Sequence, residues 1–580
     1  MIFQTPSLMR LSLLLALGSA ELTCRPEGPV VPAPRGLWTA AEFQSTVNSL
    51  TLTLDAAMRG SINPGFPIEN ASFSIGVVSL DQPDPGTPIW EYHHLATANT
   101  RGTQRLDKDS QYLIGSITKV FSDYLLLKST VDVDAPVTQF IPELAVGRSR
   151  IQWEDVSLRM LGSHLAGAPT NFGFSEHYYL REVFQAYGFP PIDDSAYPPC
   201  GVVGLNGACS EKDFLAGMTT SYPYTAQMER PAYSNVAFTV FTIALERITG
   251  KTYAQLLDEF VVHPYGLKNT FPSPGNDSLA VIPPQESNWG TDYGLSTPGG
   301  GLVSSISDLS KFTKALLSRS LNMTASETRA WLKPAAFAGN VHSAVGLPWE
   351  IWRPTNLVPD HPHHVTLYTK GGGALMYRSQ LAVIDEYGIG VIVLTAGQME
   401  AVTPLTNAVI GTIVSAVDKV SRVQAARKYA RRFRSSGANS TVEAAFDLDN
   451  DSLVLVSVQR NGEEMLSSIT DLWNMIMAPF AAPIGSTVRL FPQELYENTT
   501  LQGHPVIRQV WRLWPDLLSP STSELPGQEV DASNCFSWTL GDWVHYGSEP
   551  MDRVAFYEDE YGEVAGVEVP FLRSGVLTPL

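Results

Sequence analysis

At 580 residues, 44% hydrophobic and 17% charged, the chain has the make-up of a globular protein of roughly two to four domains, which excludes wholesale disorder and fibrous folds. Its formal net charge of −19 repels phosphate backbones. With no basic, aromatic-interleaved patch to offset that charge, nucleic acid is excluded as a partner.

The chain opens with "MIFQTPSLMRLSLLLALGSAELTC", in which Arg10 precedes an apolar run at 11–17 and Gly18-Ser19-Ala20 offers a small-residue cleavage site. This reads as a secretory signal peptide over 1–20, too short to span a membrane, and predicts a soluble extracellular protein. A Pro-rich leader occupies 21–36. Residues 37–59 read as a helix and "SFSIGVVSL" as a strand, followed by a turn-rich "DQPDPGTP". A second helix carries "GSITKVFSDYLLLK". A long middle region then mixes helices with Gly- and Pro-rich loops. From Leu367 strands return, and "SQLAVIDEYGIGVIVLTAG" predicts a hairpin turning at "EYG". A helix over about 403–433 ends in the basic cluster "RKYARRFRSSGANS", whose last residues resemble a linker. Beyond it, strand-like pieces such as "TVEAAFDLDNDSLVLVSVQRNG", "VRLFPQELYE" and "CFSWTLGDWVHYG" predict a separate mostly β domain over 437–580, a barrel or a sandwich, after a first domain over 37–436.

Four cysteines survive cleavage after Ala20, and an even count in an oxidising compartment favours two disulfides out of three possible connectivities. Cys200 and Cys209 bracket a Gly-rich stretch and fit a small closed loop, which leaves Cys24 to reach Cys535. The N-x-[ST] sequons at Asn70, Asn276, Asn322, Asn439, Asn450 and Asn498 agree with a eukaryotic secretory route and a glycoprotein.

The chemistry starts at Ser116 and Lys119. On a helix, residues i and i+3 share a face, so the hydroxyl and the amine come within hydrogen-bonding reach. The apolar neighbours Tyr112, Leu113, Ile114, Val120, Phe121 and Leu125 imply burial. A buried ammonium is costly unless it is paired or gives up its proton, and a neutral lysine can take the proton of a serine. An SxxK match is expected about once by chance in a chain this long, so context decides. That context is "RPAYSNVAFTV", with Tyr233 and Asn235 as Y-x-N, and "LYTKGGGALMYRS", with Lys370 and Gly372 as K-x-G before the hairpin. Y-x-N alone is cheap, since it recurs at Tyr496 and Asn498.

Together these three elements, in this order, resemble the serine β-lactamase and penicillin-binding-protein superfamily, in its branch of class C β-lactamases, D,D-peptidases and esterases. The resemblance spans about 40–425 and includes "VSLRMLGSHLAGAP" and "STPGGGLVSSISDLSKF"; a secreted form with an added C-terminal domain is similar to fungal β-lactamase-like proteins. It implies an α/β fold with an antiparallel sheet flanked by helices and an all-helical region. It also implies that Ser116 is the acylated nucleophile, Lys119 the proton-transfer lysine, and Tyr233 the base or leaving-group acid. Asn235 and Lys370 would line the substrate pocket. The N–H groups of Ser116 and Gly373, next to Gly372, would bind the oxyanion, where loss of one donor costs about 3 kcal/mol of barrier. No metal or organic cofactor is implied.

One departure bears on substrate. The family's third element commonly carries a hydroxyl residue where this chain has Gly371. That hydroxyl helps bind a substrate carboxylate, so an ester or amide is expected here in preference to efficient β-lactam turnover. Two rivals to a hydrolase remain: an acyltransferase acting on a small secondary metabolite with the same residues, and a binding protein that keeps the fold without the chemistry. Other motifs carry less. His361, His363 and His364 lack metallo-hydrolase spacing and read as a surface loop. "DLDNDS" has Ser452 where a calcium loop needs Gly, so it reads as a turn. No G-x-S-x-G elbow appears.

Overall fold

The computed structural model describes residues 24–145, 149–436, 440–477, 484–517, 526, 535 and 537–580. The signal peptide expected at 1–20 and the sequon at Asn439 lie outside the described residues. Two compact units emerge, one formed by Val31–Val358 with His364–Ala425, the other containing Pro359–His363 and Ala426–Leu580 together with the segment leading to Val30.

The first unit is built on one antiparallel sheet of eight strands. In chain order its elements are α1 (Ala41–Met58), β1 (Ser72–Ser79), β2 (Trp90–His94), α2 (Thr118–Lys128), α3 (Val236–Thr249), α4 (Ile306–Leu317), β3 (Ala336–Phe337), β4 (Ser343–Val345), β5 (Glu350–Trp352), β6 (Leu367–Ala374), β7 (Tyr377–Ile384), β8 (Ile389–Ala396) and α5 (Val402–Tyr429). Across the sheet the order is β2-β1-β8-β7-β6-β5-β4-β3. Every residue of β1 and β8 is buried, which requires cover on both faces, and the strand period of two deals side chains alternately to each side. Phe73, Ile75, Val77, Val391 and Val393 pack with Phe43, Val47 and Leu50 of α1 and Val409, Ile413 and Val417 of α5. Val78, Ile392 and Leu394 face the other way, onto Val120, Phe121 and Leu125 of α2, Phe238 and Phe241 of α3, and Leu309 and Phe312 of α4. Helix, sheet and helix thus form three layers, and the face carrying α2 and α3 is the one that holds Lys119.

By length and hydropathy alone α5, with its lead-in from Met399, could cross a membrane, but half of its most apolar window is buried inside the protein. It behaves as the core helix of this unit. The helix ends at Tyr429, and "RFRSS" forms a strand (Arg432–Ser436) in place of the expected helical end, while residues 437–439 of the expected linker lie outside the described residues. The alternation of Arg432, Phe433 and Arg434, with Phe433 fully buried, is a strand period that a basic cluster masks in the sequence.

In the second unit, eight strands pair antiparallel in a closed ring: Arg432–Ser436, Thr441–Leu448, Leu453–Arg460, Ile484–Leu501, His504–Leu517, Arg553–Glu558, Val564–Glu568 and Val576–Pro579, the last returning to the first. Closure removes the sheet edges, so the barrel of the two expected alternatives is the one observed. Tyr429, Phe433, Phe446, Trp511 and Phe556 form an aromatic cluster with centroid separations of 4.9 to 6.2 Å. A helix the strand reading passed over, Leu466–Met477, buries Ile469, Trp473 and Met477 at helical spacing. Among its described residues "CFSWTLGDWVHYG" holds only a short 3-10 turn and a two-residue strand, His545–Tyr546. Its clustered aromatics imitate a strand, but Gly541 and Asp542 break the run. In "DLDNDS" Asp447 and Leu448 end a strand and the turn follows from Asp449, with Asp449 and Asp451 paired to Arg489. His363, read as part of a surface loop, is only 6% exposed, with Nδ1 2.6 Å from the His361 carbonyl oxygen.

Two disulfides link Cys24 to Cys535 and Cys200 to Cys209. Asn276, Asn322, Asn450 and Asn498 are exposed and Asn70 is half-buried.

Candidate active site

Ser116 lies on a 3-10 turn, Gly115–Ile117, that runs straight into α2 and leaves Lys119 in the first helical turn. Gly115 has φ +49°, and a Cβ there would fall 2.2 Å from the Gly373 backbone nitrogen. Only glycine allows the turn to lie so close to β6. Gly372 makes the reciprocal approach, since its Cβ would meet the Ile114 carbonyl oxygen at 2.0 Å and the Ser116 nitrogen at 3.0 Å. The Ser379 hydroxyl donates to that same Ile114 carbonyl at 2.7 Å and fastens the turn to the sheet. The turn that carries Ser116 and the Gly372–Gly373 segment of β6 therefore lie in close backbone contact.

Lys119 is fully buried. Its ammonium donates to Ser116 Oγ at 3.0 Å and to Asn235 Oδ1 at 2.7 Å, and also to the Gly299 carbonyl. Asn235 in turn donates to Asn171 Oδ1 at 2.8 Å. Burial drives the Lys119 pKa down to about 8, and the charge of Lys370 adds to that fall. Lys119 Nζ lies 4.9 Å and Lys370 Nζ 5.0 Å from the centre of the Tyr233 ring. Burial alone would raise the Tyr233 pKa. The fields of the two ammonium groups, with hydrogen bonds from Ser116 and Lys119, overcome it and hold the phenol below its ordinary value. Tyr233 is nevertheless 38% exposed, so a small molecule can reach it.

The structure thus brings Ser116, Lys119, Tyr233, Asn235, Lys370, Gly372 and Gly373 into one cleft between α2, the lead-in to α3, and β6. Four further residues belong to it. Gly299 supplies a carbonyl to Lys119, and Asn171 orients Asn235. His164 stacks on Tyr233 with ring centroids 4.5 Å apart and accepts from the Ser234 N–H at 3.2 Å through Nδ1. Burial holds its pKa well below the ordinary value, the charges of Lys119 and Lys370 adding to the effect. Glu350, on β5, accepts from Lys370 Nζ at 2.5 Å and from the Gly371 N–H at 3.0 Å. His164, Asn171 and Gly299 stand in "SHLAGAPTNFG" and "STPGGG", Gly- and Pro-rich stretches of the middle region; Glu350 carries no local signal. Among the described residues no group of three or more His, Cys, Asp or Glu is placed to hold a metal ion.

Residues 85–410 match the family described as Beta-lactamase, and residues 421–579 the one described as Beta-lactamase-like-like, C-terminal domain. The chain belongs to the β-lactamase family, and the first unit has the β-lactamase/transpeptidase-like fold. A "Beta-lactamase-like protein" of Arthroderma benhamiae is 40% identical over 576 residues, 96% of each chain. A "probable hydrolase" of Phoma sp. is 24% identical and covers 96% of this chain and 91% of its own. Among solved structures, a β-lactamase/D-alanine carboxypeptidase from Yersinia pestis complexed with citrate is similar at TM-score 0.46 and 20% identity, over 63% of this chain and 99% of its own.

Proposed function

We propose that the protein is a secreted serine hydrolase that cleaves an ester or amide through an acyl-enzyme on Ser116. The observation that carries this reading is the Lys119 Nζ to Ser116 Oγ contact of 3.0 Å, made by a buried amine whose pKa has fallen to about 8. Such an amine, beside a phenol that is itself lowered, can accept a proton near neutral pH. The hydroxyl proton of Ser116 passes to this pair as Oγ bonds to the substrate carbonyl carbon. The resulting oxyanion takes the N–H groups of Ser116 and Gly373. Collapse expels the alcohol or amine, which receives the proton from Tyr233 or Lys119. Water then repeats the sequence, releasing the acid and restoring Ser116.

The test is turnover of a panel of esters, anilides and β-lactams by wild type and Ser116→Ala. Hydrolysis of at least one ester or amide, with loss of at least about 10³-fold in Ser116→Ala, is the expected result. Undiminished hydrolysis in that variant removes Ser116 from the mechanism. The two disulfides support a secretory route, and the protein recovered from culture medium is expected to begin at Glu21.

A further inference from the structure

We infer that Glu350 is a specificity residue: an internal carboxylate that occupies the anion-binding end of the substrate edge and turns the cleft toward neutral or cationic groups. The inference rests on the proposed Ser116 chemistry and adds the charge class of the substrate to it.

Strand β5 covers only Leu367, Tyr368 and Thr369 of its partner β6, with Glu350 opposite Thr369. From Lys370 to Ala374 the strand is paired on its β7 side alone. Backbone N–H groups two residues apart point the same way along a strand. The Gly371 N–H points to the open side, because it meets Glu350 Oε2 there at 3.0 Å. That of Gly373, two residues on, points to the same side, toward the Ser116 turn. A substrate whose carbonyl sits between Ser116 and Gly373 therefore lies along this edge and meets, within two residues, the Gly371 N–H and Lys370.

Both of those donors are already taken. Glu350 Oε1 accepts from Lys370 Nζ at 2.5 Å while Oε2 accepts from Gly371. Lys370 is fully buried and gives a further bond to the Gly371 carbonyl at 2.9 Å. The Glu350 side chain keeps 37% of its surface exposed, so it faces incoming molecules. A substrate carboxylate placed here finds its cation neutralised and a like charge in its seat, whereas an amide fits and an ammonium gains a partner. A further cation, Arg378 of β7, lies over Gly373 and gives Nη1 to the carbonyls of Ala374 and Tyr377 at 3.1 and 3.0 Å.

Three alkyl fluorophosphonates of equal length, ending in a carboxylate, a carboxamide or an ammonium, test this without a known substrate. On wild type the carboxamide probe is expected to label Ser116 at least about tenfold faster than the carboxylate probe, the ammonium probe fastest. In Glu350→Gln the carboxylate penalty should shrink to within about threefold, through the binding constant of the probe. In wild type alone, high salt should narrow the same ratio. Equal rates for the three probes on wild type, a faster carboxylate probe, or a ratio unmoved by both Glu350→Gln and salt would overturn the inference. Failure of the carboxamide probe to label at all would instead overturn the Ser116 reading, and the inference with it.

Discussion

Gly372 and Gly371 are adjacent and identical in sequence, yet their surroundings demand different things of them. A methyl group at Gly372 collides with the Ile114 carbonyl at 2.0 Å and the Ser379 hydroxyl at 2.3 Å, while one at Gly371 makes ordinary contacts at 3.4 Å. Gly372→Ala is therefore expected to push β6 off the nucleophile turn and lower the Ser116 labelling rate by about 10²-fold, the usual cost of a lost oxyanion donor. Gly371→Ala should stay within about threefold, as measured with the same fluorophosphonate. A second consequence concerns pH. In the proposed mechanism Lys119 and Tyr233 act as bases when deprotonated, so the rate is expected to rise with pH through their ionisation, near 8 for Lys119. Lys370 lowers both pKa values by its charge. Lys370→Met removes that charge, and the rising limb of the pH–rate profile should move to higher pH by about one unit. A limb that stays in place would detach Lys370 from the ionisation of the site. At this scale the sequence showed the groups that the structure brings together around Ser116, because S-x-x-K, Y-x-N and K-x-G are local. It did not show Glu350, whose role depends on strand register, nor the stacking of His164 on Tyr233, which depends on a fold that joins positions far apart.

Periodicity carried the long elements. The hairpin of β7 and β8 turns where "EYG" predicts, with a 3-10 turn at Asp385–Tyr387 and Gly388 in the left-handed region, because alternation and turn chemistry agree there. It failed where side-chain type and backbone period diverge, as at Arg432–Ser436, and where an apolar stretch fits either period, as at Leu466–Met477. The barrel turn at Asp449–Ser452 shows an element held by charge. Arg489, 9% exposed, meets Asp449, Asp451 and Asp516 at 2.8, 3.0 and 2.7 Å. Removing the cation leaves three carboxylates facing one another, so Arg489→Met should destabilise the barrel by about 3 kcal/mol in denaturant unfolding. Burial pushes the Asp449 carboxyl up, but the Ser452 N–H and Arg489 outweigh it and hold the group below its ordinary value. The folded state thus binds fewer protons than the unfolded one. The contribution of Asp449 is present above the unfolded carboxylate range and lost as the pH falls below that range and through the lowered folded value.

The chain as a whole holds two units with different logic. The α/β unit needs both faces of its sheet covered, and the sequence announces this through fully apolar strands. The β unit closes on itself, which no single segment could announce, since closure is decided by pairing Thr441–Leu448 with Leu453–Arg460 at one end and Arg432–Ser436 with Val576–Pro579 at the other. The Cys24–Cys535 bond spans 511 residues. By chain entropy such a link is worth about 6 kcal/mol against the unfolded state, and the nine-residue separation of Cys200 and Cys209 less than half of that. Non-reducing peptide mapping should recover both links, and a lone Cys24→Ser, Cys535→Ser pair should lower the melting temperature more than the Cys200→Ser, Cys209→Ser pair. The reverse order would mean that the long link constrains little.

The central claim, that Ser116 is the nucleophile, is tested most directly by treating the intact protein with an uncharged alkyl fluorophosphonate and mapping the adduct by mass spectrometry. A single adduct on Ser116, absent from Ser116→Ala and slowed by at least about 10²-fold in Lys119→Met, is the predicted result. An adduct on another residue, or labelling that persists in Ser116→Ala, would contradict the account.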